Sequence, residues 1–371
     1  MVATAKSTPD EAFMDQALAL AERGRGHSSP NPLVGAVVVT AEGAVVGTGY
    51  HERAGLAHAE VRALDEAEAR GDQGARGATL YCTLEPCSHV GRTGPCVHRI
   101  VEAGVGRVVV GMVDPHPQVD GTGIAYLRDH GVQVDVGVRR AAVSRQNEAF
   151  LAWVTRGRPF VTMKIATSLD GCVAETAGVR TQLTSAEANA AVDRLRAEVD
   201  AVAVGSTTVL VDDPHLTARS ARRTRPLTRV VFDRRLRVSP SAALFDTLDV
   251  GPVVIVTTRA AAAERSEAVA QLRGIGARVE PLQSGSIRDA MARLGALDIT
   301  SLLLEGGATI HRAAWEAEVV DRVQRYVAPM TLGTKGVAWL GDDISMVKLY
   351  DARVRSYGPD VFFEGYVQRA N

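Results

Sequence analysis

A chain of 371 residues, 46% hydrophobic and 23% charged, has an ordinary globular composition, and at about 150 residues per domain it predicts two domains. Its 42 basic and 43 acidic residues give a formal net charge of -1, so no basic surplus points to nucleic acid or a membrane surface. Three of its four cysteines, Cys82, Cys87 and Cys96, lie within fifteen residues, which excludes a disulfide scaffold and leaves reduced thiols available for metal.

The opening MVATAKSTPDEAFMDQ is charged at Lys6, Asp10, Glu11 and Asp15 and lacks an apolar stretch, so no signal peptide and a cytoplasmic location are expected. Residues 10–24 predict a helix, with Phe13, Met14, Ala17, Leu18 and Ala21 at helical spacing and Gly24 as its stop. Strands at 34–39 and 44–50 follow, then a helix at 58–70, a strand at 78–82 and a structured loop at 83–95. A short helix opens at Cys96, and a strand runs from Arg107 to Val113. Helix 121–130, a strand near 132–136 and a helix near 141–153 complete a three-layer α/β domain, residues 1–154. The segment TRGRP at 155–159 marks the boundary of a second α/β domain, 155–371. There, strands are expected at 160–166, 199–205, 228–233, 252–257 and 301–305. Helices are expected from a capping box at Thr184 and Glu187 to Arg196, and at 260–273, 286–295 and 309–317. Strands at 322–328, 346–357 and 360–367 close the chain. The longest apolar runs are about six residues, against roughly 18 for a membrane span.

His58-Ala-Glu60 stands where a helix begins; Cys87 follows His58 by 29 residues and Cys96 follows by nine more. One imidazole and two thiolates make a three-ligand zinc set with the fourth position open to water, as in catalytic sites. Zinc lowers the pKa of such a water towards 7, and Glu60 is the nearest carboxylate to move its protons. His58 and Glu60 can face one site only from the helix's first turn, because residues two apart diverge further along. A closed structural site that adds Cys82 is the other reading, although ATLYCTL around it reads as a buried strand.

Zinc nucleobase deaminases carry HxE followed by PCxxC; here eight residues rather than two separate the cysteines. The longer form TLEPCSHVGRTGPC (83–96) resembles the deaminase domain of bifunctional riboflavin-biosynthesis proteins, as do SPNPLVGAVVV (29–39), GYH (49–51) and AHAEVRAL (57–64). The resemblance implies a cytidine-deaminase-like α/β/α fold, zinc on His58, Cys87 and Cys96, and Glu60 as the proton shuttle. It makes Asn31 the reader of a pyrimidinone edge, since its amide both donates and accepts. His51, His89 and Arg92 become candidates for the sugar phosphate.

No GxGxxG follows residue 156, so a Rossmann fingerprint is absent from the second domain. RPFVTMKIATSLDG (158–171), GSTTVLVDDPHLTAR (205–219) and LLLEGGATIHRA (302–313) resemble the reductase domain of the same proteins, which has a dihydrofolate-reductase-like α/β fold. That resemblance implies substrate contacts at Arg196, Leu216, Arg219 and Glu305. It lines NADPH with Thr167, Thr208 and Asp212, and with Gly307, Ala308, Thr309, Ile310, His311, Arg312 and Ala313. Arg234 is the candidate for the 2′-phosphate, and Lys164 for a general acid or positioner near the ribose. Gly306-Gly307, between a strand and a helix, offers bare N–H groups to a pyrophosphate.

The expectation is a bifunctional homo-oligomeric enzyme, dimer or tetramer, using Zn2+ and NADPH on a phosphorylated pyrimidine, with no nucleic acid and no membrane. The deaminase half would hydrolyse an amino group and the reductase half would reduce a ribosyl to a ribityl chain. Two other readings are a nucleobase or tRNA deaminase with a reductase-like module, and a catalytically inactive zinc-stabilised regulator.

Overall fold

The computed structural model describes residues 8–71, 74–89, 94–219, 225–339 and 348–367. Two compact units divide the chain, residues 1–156 and 157–371. The dividing point lies two residues beyond the expected 154/155, because the helix before it runs on to Arg156 and stops at Gly157, whose φ is +65°.

The first unit runs α1 (Pro9–Glu22), β1 (Gly35–Val39), β2 (Val45–Tyr50), α2 (Ala59–Ala69), β3 (Thr79–Leu84), α3 (Cys96–Glu102), β4 (Arg107–Met112), α4 (Thr122–Asp129), β5 (Gln133–Val136), α5 (Arg140–Gln146) and α6 (Glu148–Arg156). Its sheet has the order β2-β1-β3-β4-β5, antiparallel up to β3 and parallel beyond it. Side chains alternate across β1: Ala36 and Val38 pack with Ala63, Leu64 and Ile100 on one face, Val37 and Val39 with Met14 and Ala17 on the other. Helices therefore cover both faces, which accounts for the unbroken apolar runs read in the sequence. The helices lie close. A Cβ at Gly35 would stand 1.9 Å from the Ala17 carbonyl oxygen, one at Gly47 2.0 Å from that of Ala63, and one at Gly49 2.2 Å from that of Ala59.

The second unit opens with β6 (Phe160–Thr167), β7 (Cys172–Ala174), α7 (Ala186–Glu198), β8 (Ala201–Gly205), α8 (Ser206–Asp212), β9 (Thr228–Phe232) and a 3₁₀ turn at Ala243–Thr247. It continues through β10 (Val253–Thr258), α9 (Arg259–Glu264), α10 (Ser266–Gly274), β11 (Arg278–Leu282), α11 (Ile287–Gly295), β12 (Ser301–Leu304) and α12 (Ala308–Glu316). It ends with β13 (Arg322–Val327), β14 (Val337–Ala338), β15 (Leu349–Tyr357) and β16 (Asp360–Val367). Nine strands in the order β11-β10-β9-β8-β12-β6-β13-β16-β15 form its main sheet, parallel through β13 and antiparallel at the last two pairings. Residues 346 and 347 of the expected closing strand lie outside the described residues.

Several expectations are corrected. The expected helix 141–153 is two helices, because Asn147 leaves the helical path and turns its amide onto Leu33: Oδ1 accepts from the Leu33 N–H at 2.7 Å and Nδ2 donates to its carbonyl at 3.0 Å. Helix 260–273 likewise breaks at Arg265. The cap of α7 is Ser185 rather than Thr184, its Oγ accepting from the Ala188 N–H at 3.2 Å. Among the elements that went unread are α8, whose STTVLVD is rich in β-branched residues that favour strands, and β11, where Pro281 sits on an edge strand that tolerates it.

Candidate active sites

In the first unit the N-terminus of α2 builds half of the site. His58 is the N-cap, in extended conformation, and Glu60 lies in the first turn, so the two look out of one helix end. Cys87 follows β3, and Cys96 opens α3 after Pro95. His58 Nδ1 stands 3.1 Å from Cys96 Sγ and 3.5 Å from Cys87 Sγ, and the sulfurs are 3.4 Å apart. Tetrahedral zinc bonded at about 2.0 Å to nitrogen and about 2.3 Å to sulfur separates its donors by a similar or slightly larger distance, roughly 3.5–3.8 Å. Hydrogen bonding from Cys96 and His58 draws the Cys87 thiol well below its ordinary range, while Cys96 beside it is driven up. Protons shared among three ligand atoms occupy the place a dication would take, so these residues fit zinc. Burial pushes Glu60 up to about 7, and its Oε2 has no partner among the described residues.

Cys82 is fully buried in the hydrophobic core and stands apart from this cluster. That removes the ground for a closed four-ligand site. His51 is 3% exposed; its Nε2 meets Asn31 Nδ2 at 2.9 Å and its Nδ1 faces the Ala57 carbonyl at 3.4 Å. Burial, then His58, lowers its pKa, so the ring is neutral and serves to orient the Asn31 amide. His51 is thus placed against Asn31, the residue expected to read the pyrimidinone edge. His89 Nδ1 is buried and unpartnered among the described residues; Arg92 lies outside them. Asn147, which the sequence reading passed over, clasps Leu33 and so anchors the Pro-Asn-Pro turn that carries Asn31.

The second unit holds a cleft of about 1520 Å³ at the carboxyl ends of β6, β8, β9, β10 and β12, the side where open α/β sheets bind ligands. Lys164, Arg196, Thr208, Asp212, Leu216, Arg219, Arg234, Glu305, Gly307, Ala308, Thr309, Ile310, His311 and Ala313 all line it. Thr167 and Arg312 are not among its lining residues. Thr167 is fully buried at the end of β6, its Oγ1 accepting from Arg325 Nε at 3.1 Å; Arg312 is turned to the exposed side of α12 by helical periodicity. Gly306 and Gly307 make a bare-backbone cradle before α12. A Cβ at Gly306 would stand 2.8 Å from the Val204 side chain, and Gly307 has φ +75°. This cradle at a helix N-terminus fits a pyrophosphate.

Arg196 is engaged rather than free. Its Nε and Nη2 donate to Glu305 at 2.6 and 2.7 Å, and its Nη1 donates to the Thr217 carbonyl at 3.2 Å. A direct phosphate role therefore suits Arg219 better, whose side chain is 81% exposed. Burial raises the Glu305 carboxyl, but Arg196 and Lys164 together outweigh it and hold the group below the ordinary range. Burial lowers the Lys164 ammonium, whose Nζ lies 5.7 Å from the Tyr326 ring centroid. Leu216 is buried with φ +56°, a left-handed conformation that costs a leucine energy and turns its backbone at the cleft wall.

Residues 7–112 match the family described as the cytidine and deoxycytidylate deaminase zinc-binding region, and residues 159–363 match the RibD C-terminal domain. The riboflavin biosynthesis protein RibD of Aquifex aeolicus (strain VF5) is 37% identical over 365 residues, covering 96% of this chain and 99% of the relative. The chain belongs to the RibD family. RibD of Escherichia coli K12 is 38% identical, covering 95% of this chain and 98% of its own. Among solved structures, RibD of Acinetobacter baumannii superposes with TM-score 0.86 at 33% identity, covering 97% and 99% of the two chains. A Thermotoga maritima protein, a diaminohydroxyphosphoribosylaminopyrimidine deaminase/5-amino-6-(5-phosphoribosylamino)uracil reductase, does so with TM-score 0.83 at 32% identity, again covering 97% and 99%. A RibD chain is a bifunctional enzyme of riboflavin biosynthesis, with a zinc-binding deaminase unit and a reductase unit. Full-length similarity leaves no support for a nucleic-acid deaminase with an accessory module or for an inactive regulator. Among the described residues no helix is long and apolar enough to cross a membrane.

Proposed function

We propose that the first unit hydrolyses the C2 amino group of 2,5-diamino-6-ribosylamino-4(3H)-pyrimidinone 5′-phosphate, releasing ammonia. The second unit then reduces the ribosyl group of the product to a ribityl chain. The observation that carries this reading is the buried Glu60 carboxyl beside the His58–Cys87–Cys96 triangle, with its Oε2 unpartnered among the described residues. His58, Cys87 and Cys96 would hold zinc, which would supply an acidified water as nucleophile at neutral pH. Glu60 would carry one proton of the attacking water to the ring nitrogen and then the second, from the hydroxyl added to carbon, to the departing amine. Its elevated pKa suits a group that must both accept and donate near neutrality. Asn31, held by His51, presents its amide to the pyrimidinone edge.

The second cleft would hold NADPH against Gly306-Gly307 and α12, and the cofactor would supply the hydride that reduces C1′ of the opened sugar. Lys164, beside Glu305, donates a proton or hydrogen bond to the sugar oxygen. Arg219 holds the phosphate, Gly306-Gly307 cradle the cofactor's pyrophosphate, and Arg234 meets its 2′-phosphate. Balanced charge supports a small-molecule substrate without nucleic acid. The enzyme acts in the cytoplasm as a homo-oligomer, a reading supported by the exposed Val354 and Phe363 on the β15–β16 pair.

One assay tests the whole reading. The diamino substrate should yield ammonia without NADPH, and NADPH should be oxidised only once deamination has occurred. Ammonia release without any subsequent NADPH oxidation overturns the second assignment; no ammonia from zinc-loaded protein overturns the first.

A further inference from the structure

Four backbone N–H groups converge on one carboxylate in the first unit. Glu85, 4% exposed, follows β3. Its Oε2 accepts from the N–H groups of Asp114 at 3.2 Å and Gly121 at 3.0 Å, and its Oε1 from those of Gly123 at 2.9 Å and Ile124 at 3.1 Å. All four donors belong to the segment that leads from β4 into the first turn of α4. An anion accepting N–H bonds at a helix N-terminus is favoured by both hydrogen bonding and the helix dipole.

Close packing seats the same segment. A Cβ at Gly123 would stand 2.0 Å from the Pro86 carbonyl oxygen, so the α4 backbone lies directly on Glu85 and Pro86. Beyond Cys87, Ser88 Oγ and Thr122 Oγ1 are 2.7 Å apart. Leu84 pairs with Met112 across the parallel strands β3 and β4. The metal-ligand loop and the 113–121 segment therefore leave the sheet side by side at its carboxyl end, the ligand-binding side of such sheets. Cys87 lies two residues past Glu85, so the 113–124 segment adjoins the loop that carries a metal ligand.

We infer that Glu85 is a positioning residue of the deaminase. It touches no reacting atom; it fixes the Asp114–Ile124 segment against the metal loop and thereby sets how tightly the phosphorylated pyrimidine is held. Zinc and Glu60 stay in place without it, so its loss acts on KM rather than kcat. This rests on the proposed deaminase activity, which ammonia release by the unaltered protein tests separately; the ratio of variant to unaltered protein tests Glu85.

Glu85→Gln keeps the size of the side chain but turns an amide NH₂ towards N–H donors. The expected result is a KM for deamination raised about tenfold or more, with kcat, zinc content and NADPH oxidation on the deaminated pyrimidine little changed. Gly123→Ala leaves the carboxylate intact and wedges the segment away from Pro86, and it should raise KM in the same way should Glu85→Gln not fold. An unaltered KM in a folded variant overturns the inference, as does a parallel fall of kcat and zinc content, which would assign the clamp to the metal ligands.

Discussion

At the scale of single residues, two carboxylates are handled in opposite ways. Glu60 is buried with its Oε2 unpartnered among the described residues and pushed up to about 7, whereas Glu305 is buried with Arg196 and held low. A proton shuttle needs the first condition and a fixed anion the second. Glu60→Gln should lower deamination by at least about 100-fold, leaving zinc content and NADPH oxidation on the deaminated pyrimidine unchanged; a fully active variant removes Glu60 from the mechanism. For Glu305 the folded-state pKa lies below the unfolded one. Its contribution to stability is therefore complete above the ordinary carboxyl value of 4.5 and is lost as pH falls through the depressed value. Arg196→Met leaves that carboxylate with Lys164 but without its bidentate partner. We expect about 3 kcal/mol or more of destabilisation and acid unfolding of the second unit beginning at higher pH, followed by near-ultraviolet circular dichroism. An acid midpoint identical to that of the unaltered protein is incompatible with this account. The zinc ligands and Glu60 could be read from the sequence because HxE and PC carry their chemistry in fixed local spacing. Asn147 could not, since its partner Leu33 is 114 residues away and no local pattern announces the clasp.

At the scale of elements, strands and helices with a clear apolar period were readable, and the failures have physical causes. The β-branched Thr207, Thr208, Val209 and Val211 favour a strand, yet α8 forms where Ser206 and Val209 are buried beside β8 and β9. Neither Asn147 nor Arg265 breaks the apolar pattern around it, so each pair of helices read as one. Glycine spacing in β2 had a consequence only the packing shows. Gly47 and Gly49 point at α2 and let its backbone rest on the strand, which sets the height of the helix end carrying His58 and Glu60. Gly49→Ala places a methyl 2.2 Å from the Ala59 carbonyl oxygen, so α2 must lift at that end. The expected cost is about 1–3 kcal/mol, with weaker zinc retention on dialysis and reduced ammonia release. Full zinc occupancy and unaltered deamination would show that α2 does not depend on this contact.

At the scale of the whole molecule, two units with separate sheets and cores carry two chemistries, and motif blocks in each half made that division readable. The order of the nine strands was not readable, because parallel pairing such as β12 between β6 and β8 joins segments more than a hundred residues apart. Separate cores make a specific prediction about metal removal. The ligand set draws together the N-termini of α2 and α3 and the end of β3, so zinc bound there contributes folding free energy to the first unit alone. None of the three ligands belongs to the second unit, whose cleft is lined from its own strands. Treatment with a strong chelator should abolish ammonia release while NADPH oxidation on the deaminated pyrimidine continues at its original rate. Hydrogen exchange should quicken in peptides from α2 and α3 and stay unchanged in those from β6, β8 and β12. Ammonia release persisting in metal-free protein would mean that Glu60 acts without the ion, and equal quickening in both sets of peptides would mean that the units do not fold independently.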